Sequence, residues 1–240
     1  MRASLSAGEA GRIDFGGVVG FQRLGPIVCR IALGPPLSVE IAECSLCSGG
    51  ALGSAHAARS EGRSVLLILT AQRVALLALD RDLAQLQAGS RTAFFNAIAV
   101  THEPVWPPAP FEPGSLDWAA KNLAHDPQGE GWYGWAILAN EGERAPPRLV
   151  GIAALIGRPD DVGDVELAFG LLPEFRGRGF GAETVRTLVA WGFENGARRV
   201  VVHLDAEDAG AAHTLTKSGF ADTGEQEYPG VARWALSAAG

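Results

Sequence analysis

Around residue 175 a strand-like run passes through a glycine-rich turn straight into an amphipathic helix, and few architectures accept that order. The segment reads Leu171-Leu172-Pro173-Glu174-Phe175-Arg176-Gly177-Arg178-Gly179-Phe180-Gly181. Val165 to Leu172 has strand character before it. After it Val185, Leu188, Val189 and Phe193 recur at helical spacing, which predicts a helix over Gly181 to Asn195 with one buried stripe. Glycines at such a turn let several unpaired backbone N–H groups converge, and the helix dipole adds positive potential, so the turn suits a phosphate-bearing ligand. Arg176 and Arg178 add formal charge.

Two familiar phosphate loops fit poorly. The G-x-x-x-x-G-K-[ST] loop fails because no lysine or hydroxyl residue stands in the required place. Gly177-x-Gly179-x-x-Ala182 satisfies the dinucleotide pattern, and Asp205 stands where a ribose-binding acid belongs. However, Pro173 to Arg176 separate the strand from the first glycine, and the 35 residues after Asp205 cannot complete a Rossmann domain.

The rest of the body alternates strands and helices. Val65 to Leu79 is apolar apart from Thr70 to Arg73 and predicts an opening strand, after which Asp80 can N-cap a helix through Leu83 and Leu86. Prolines at Pro104, Pro107, Pro108, Pro110 and Pro113 make Glu103 to Pro113 an extended loop. A short helix is expected over Ser115 to Leu123. Trp132 to Ala139 and Leu149 to Ile156 read as a hairpin. Further strands are expected at Arg199 to Leu204, Phe220 to Glu227 and Val231 to Leu236, with a helix over Asp208 to Ser218. The expected fold class is α/β, a mixed and mostly antiparallel sheet flanked by helices.

Residues 1–64 read differently. The first 63 hold all three cysteines and show no sustained helical or strand period. We expect a Gly/Ala-rich, poorly ordered tail over 1–64 and one domain over 65–240. Cys44-Ser-Leu-Cys47 has no second Cys or His pair at ligand spacing, so no metal is expected. Residues 1–63 hold six arginines against five acids, which leaves 14 bases against 22 acids in the remainder. That acidic body repels phosphate backbones, excludes nucleic acid as an expected partner and tilts the expectation to a cationic small molecule. The aliphatic runs Val65 to Leu69 and Val74 to Leu79 fall far short of the roughly 20 residues that span a bilayer. Arg30 breaks the stretch from Pro26 to Leu33, which therefore lacks a secretory h-region. No membrane association is expected, and the cytoplasm is the expected compartment.

Arg176-x-x-Gly179-x-Gly181 matches [QR]-x-x-G-x-[GA], and the sequence here resembles the GCN5-related N-acetyltransferase (GNAT) superfamily. Val165-Glu166-Leu167, the Pro173 to Gly181 loop and Lys217-Ser218-Gly219-Phe220 are similar to the subgroup of ribosomal-protein-alanine acetyltransferases. The resemblance spans roughly Leu66 to Leu236. It implies a GNAT-like acyl-CoA-binding fold that moves an acetyl group from acetyl-CoA, as co-substrate, to a primary amine on a small molecule or a protein N-terminus. The alternative is a non-catalytic acyl-CoA-binding or sensing module. On this resemblance, Leu171, Arg176, Gly177, Arg178, Gly179, Phe180 and Gly181 hold the coenzyme, together with Asp208 where the family commonly has Asn. Leu215 stands where many members carry a tyrosine acid, so no general acid is assigned.

Alternation puts Val165, Leu167, Phe169 and Leu171 on one strand face, and Glu166, Ala168 and Gly170 on the other. A carboxylate beside Ala and Gly has space above it for a substrate, and it can take a proton from an ammonium directly or through water. Glu166 is the candidate catalytic base. Gly170 suits a bulge that would open neighbouring strands. Trp106 is the candidate substrate-binding residue, because its Pro-rich loop falls where related enzymes build the acceptor pocket. His203 reads as a surface histidine.

Overall fold

Every residue of Val74–Ala78 and of Trp135–Ala139 is buried, so these two strands must be covered on both faces. Successive side chains of a strand point to opposite sides. Leu76 and Ile137 accordingly enter one core, and Leu77 and Leu138 enter another. The computed structural model describes residues 27–34, 38–44, 64–101, 103–139 and 147–238. In chain order the strands are β1 (Ile27–Gly34), β2 (Ser38–Cys44), β3 (Ser64–Thr70), β4 (Val74–Ala78), β5 (Trp135–Ala139), β6 (Arg148–Leu155), β7 (Asp164–Leu171), β8 (Arg199–Asp205), β9 (Ala221–Tyr228) and β10 (Val231–Ser237). The helices are α1 (Arg81–Gly89), α2 (Arg91–Ala97), α3 (Pro113–His125), α4 (Phe180–Glu194) and α5 (Ala209–Lys217).

The described strands form one sheet in the order β2-β1-β3-β4-β5-β6-β7-β8-β10-β9. All neighbours are antiparallel except β7 and β8, which run parallel. A parallel pair requires a crossover, and α4 supplies it. Val185, Leu188 and Val189 of α4 close one core with Trp135 and Phe175. Leu83, Phe94, Phe95 and Leu123, from α1, α2 and α3, close the other. The mixed, mostly antiparallel sheet between helices is the expected class.

Several local expectations hold, and others are corrected. Asp80 caps α1, accepting from the Leu83 N–H at 2.8 Å. Val65 to Leu79 is a hairpin of β3 and β4, paired Ile68 to Leu77, instead of one strand. The interruption after Leu69 is a turn closed by Ala71 N–H on the Val74 carbonyl at 2.9 Å. α2 went unrecognised in the sequence; Ser90 starts it by accepting from Ala93 N–H at 3.3 Å. The expected hairpin of β5 and β6 is present. Within the segment 1–64, β1 and β2 extend the sheet beyond β3, although their sequence carries no strand period. Cys47 lies outside the described residues.

Candidate active site

A single 3-10 turn, Pro173–Phe175, follows β7 and is anchored by Phe175, which is fully buried. Phe180 packs into the same core, 6.3 Å from the Phe175 ring. Between these two anchors the chain is exposed and bends through Gly177 at φ 71° and Gly179 at φ 84°. None of the backbone N–H groups from Gly177 to Ala182 donates to another group among the described residues. Six unbonded donors and the positive end of a 15-residue helix therefore lie along one short stretch of chain, exposed from Arg176 to Gly179. The turn brings together Leu171, Arg176, Gly177, Arg178, Gly179, Phe180 and Gly181. Arg176 Nε donates to the Leu171 carbonyl at 3.0 Å. The guanidinium of Arg178 lies 5.5 Å from the Phe175 ring centroid. Asp208 caps α5, its Oδ1 accepting from Ala211 N–H at 2.9 Å.

Sequence reading missed the support beneath this turn. Glu183, in the first turn of α4, accepts from Arg73 N–H at 2.5 Å, Val74 N–H at 3.3 Å and Arg73 Nε at 3.1 Å. Arg73 also donates from Nη1 to the Arg178 carbonyl at 2.8 Å. The β3–β4 turn and the start of α4 are thus tied by one buried carboxylate and one arginine. Only the Thr70 to Arg73 break hinted at this, and its partner lies 110 residues away.

β7 and β8 pair only over Asp164 to Glu166 against Arg199 to Val201, and then part. Asp164 and Arg199 lock the closed end through a two-pronged ion pair, with Nε to Oδ1 at 2.8 Å. Arg199 therefore holds the Asp164 carboxyl below the usual carboxylate range. Glu166 stands where the strands diverge, its Oε1 3.2 Å from His203 Nδ1 on β8. His203 is therefore a partner of the candidate base, not merely a surface histidine. The expected bulge at Gly170 is absent, since β6 and β7 keep register from Gly151–Leu171 to Leu155–Leu167. Gly170 is needed for a different reason: a Cβ there would lie 2.2 Å from the Ala109 carbonyl oxygen, where the Pro-rich loop crosses the strand.

On the Glu166 face a cavity of about 350 Å³ opens between α1, α3 and the sheet. Phe111, Trp118, Tyr133, Ile152 and Ile156 line it, and Ala168 forms part of its wall. Burial holds the Tyr133 phenol above its usual range, and its hydroxyl donates to Asp126 at 3.4 Å. No Asp or Glu lines the cavity among the described residues. Trp106 is not part of this wall; its ring packs 5.6 Å from Phe95 and 6.3 Å from Phe94. Leu215 is fully buried in the α4 core.

The profile of the acetyltransferase (GNAT) domain matches residues 78–221. No curated protein matches the chain. Among solved structures, the ribosomal-protein-S5-alanine acetyltransferase from Vibrio fischeri is similar at 12% identity, with TM-score 0.50 over 71% of this chain and 96% of that one. A spermidine N-acetyltransferase from Vibrio cholerae, solved with CoA and spermine, is 21% identical over 68% of this chain and 95% of that one, with TM-score 0.46. A ribosomal-protein-serine acetyltransferase from the same organism gives 16% identity and TM-score 0.47 over 71% and 97%. The profile covers more than half the sequence, and the mixed, mostly antiparallel sheet flanked by helices is of that fold: the chain belongs to the GNAT acetyltransferase family.

Proposed function

We propose that this chain moves the acetyl group of acetyl-CoA to a primary amine by direct attack, with Glu166 as the base. Family membership makes acetyl-CoA-dependent N-acetylation the activity. The observation that carries the site assignment is the set of backbone N–H groups from Gly177 to Ala182, which have no acceptor within the described protein. A pyrophosphate is the group such a bend fits, because it accepts several hydrogen bonds and its charge suits the helix N-terminus. Arg176 and Arg178 flank it. The open seam between β7 and β8 gives the pantetheine arm a course toward Glu166.

In this reading Glu166 accepts a proton from the acceptor ammonium, directly or through one water, and so frees the nitrogen lone pair. The nitrogen bonds to the thioester carbonyl carbon, the C–S bond breaks with its electron pair leaving on sulfur, and the proton then shed by the nitrogen passes to that thiolate directly or through water. A CoA thiol has a pKa near the reference of about 8.5, so thiolate is a tolerable leaving group and Leu215 need not be an acid. His203 positions the Glu166 carboxylate at the seam. We assign the transferase domain to residues 65–240, and the family match falls inside those bounds. No observation favours the purely binding alternative. The test is calorimetry with acetyl-CoA together with thiol release over an amine panel. Binding without release over the whole panel would remove the transferase reading.

A further inference from the structure

Gln87 on α1 is only 4% exposed, and its Nε2 has no hydrogen-bond partner among the described residues. Buried amides are ordinarily satisfied, and a donor left without a partner is costly. Gln87 itself lines the cavity on the Glu166 face, and a turn of its side chain would bring the now enclosed amide to that space, whose wall is otherwise dominated by Phe111, Leu116, Trp118, Ile152 and Ile156. No Asp, Glu, Lys, Arg or His lines that cavity among the described residues. A cavity of about 350 Å³ is within the size of sites that enclose small ligands.

The register connects the cavity to the chemistry. Ile156, in its wall, donates its N–H to the Glu166 carbonyl at 2.8 Å. Ala168, also in the wall, shares the Glu166 face of β7 two residues along. Glu166 is not itself a lining residue, but a molecule whose apolar body fills the cavity can extend a terminal nitrogen along β7 toward it. A polyamine finds no carboxylate in that wall for its further charges, and burying them unpaired is unfavourable.

We propose that the acceptor is an apolar monoamine, aromatic or branched aliphatic, bearing an uncharged oxygen that accepts a hydrogen bond from Gln87 Nε2. This rests on the acetyl-transfer reading above and narrows it. The net acidity of the body does not set the acceptor, because the acids are not gathered in this wall.

The test uses the full chain with phenethylamine, tyramine, phenylalaninamide and spermidine. Acetylation is followed by thiol release, and amine binding is followed separately by calorimetry in the presence of CoA. We expect kcat/KM for phenethylamine to exceed that for spermidine at least tenfold. We also expect at least one of the two oxygen-bearing amines to gain about a further tenfold, the scale of one neutral hydrogen bond. Gln87→Met keeps the volume but lacks the donor. It should erase the oxygen-dependent gain, so that tyramine and phenylalaninamide fall to the level of phenethylamine measured in the same variant. Ala119→Phe, filling the cavity from α3, should weaken the aromatic amines more than tenfold while the acetyl-CoA Kd holds. Amines that bind with this preference but are not acetylated would sink the transfer reading and leave the acceptor pocket standing. Acetylation that favours spermidine, or an equal loss on all amines in Gln87→Met, would overturn the pocket alone. So would an Ala119→Phe effect confined to octanoyl-CoA, which would make the cavity an acyl-chain site. Binding of none of the amines would overturn it as well.

Discussion

Glu166 on β7 and His203 on β8 meet with Oε1 and Nδ1 3.2 Å apart, at the point where the two parallel strands stop pairing. The contact fixes the carboxylate at the mouth of the seam. Glu166→Gln keeps the shape and removes the proposed base. Its kcat should fall about 10²- to 10⁴-fold, the usual worth of a positioned base, with the acetyl-CoA Kd unchanged. His203→Gln should lower kcat less, by about tenfold at most, since that residue acts through Glu166. Thiol-release kinetics measure both, and full turnover in Glu166→Gln would exclude the base.

Gly179→Ala tests the turn proposed to hold the coenzyme. Its φ of 84° is a conformation that L side chains resist, and an added Cβ would lie 2.7 Å from Arg73 Nη2. The guanidinium can move aside, so the backbone carries the strain, about 1–2 kcal/mol. If that strain is relieved by reshaping the turn, acetyl-CoA affinity should drop about tenfold in calorimetry. An unchanged Kd would mean that these amides do not hold the coenzyme.

Glu183→Ala should destabilise the fold. It strips the acceptor from Arg73 N–H and Val74 N–H, and the carboxylate it removes is 8% exposed. Leaving buried donors unmet costs about 1–3 kcal/mol each, and in a chain of this size each kcal/mol lowers Tm by about 2–4 °C. Arg73→Ala should cost less, because that side chain is 47% exposed. Thermal unfolding of the two variants gives the order, and a Glu183→Ala melting point equal to the parent would refute it.

Asp164 makes stability depend on acid. The hydrogen bond from Arg199 is the largest cause of its lowered pKa, which starts from 3.8 in an open chain. The ionised carboxylate therefore stabilises the folded state fully above pH 3.8. That contribution disappears as pH falls through the lower folded value. Asp164→Asn should be less stable at neutral pH and show a flatter loss of Tm below pH 4. Parallel curves for parent and variant would deny Asp164 this part.

The features legible in the sequence were local ones. The turn from Pro173 to Gly181 announces itself because its glycines, the helix stripe of Val185 and Leu188, and the preceding strand lie within one short window. Asp80 was readable as a cap for the same reason. The features that escaped depend on partners distant in sequence. Nothing near Arg73 points to Glu183, and Gln87 on an amphipathic helix looks like any exposed amide until α3 and β6 close over it. Gly170 was legible as a special position, but its cause was not, since Ala109 arrives from a different loop. Trp106 shares its Pro-rich loop with the cavity residues Pro110 and Phe111, while its own ring packs against Phe94 and Phe95.

Beyond Glu166 and Val201 the facing edges of β7 and β8 carry main-chain groups that no strand among the described residues answers. Sheets do not ordinarily keep such an edge at their centre, where unmet peptide groups are costly. An extended molecule with amides of its own can stand in for the missing rungs. Occupancy and foldedness then become one equilibrium: coenzyme at a hundred times its Kd would add about 2.7 kcal/mol to stability by mass action. A cell that runs short of the coenzyme, acetylated and free together, would leave the protein without that margin of stability.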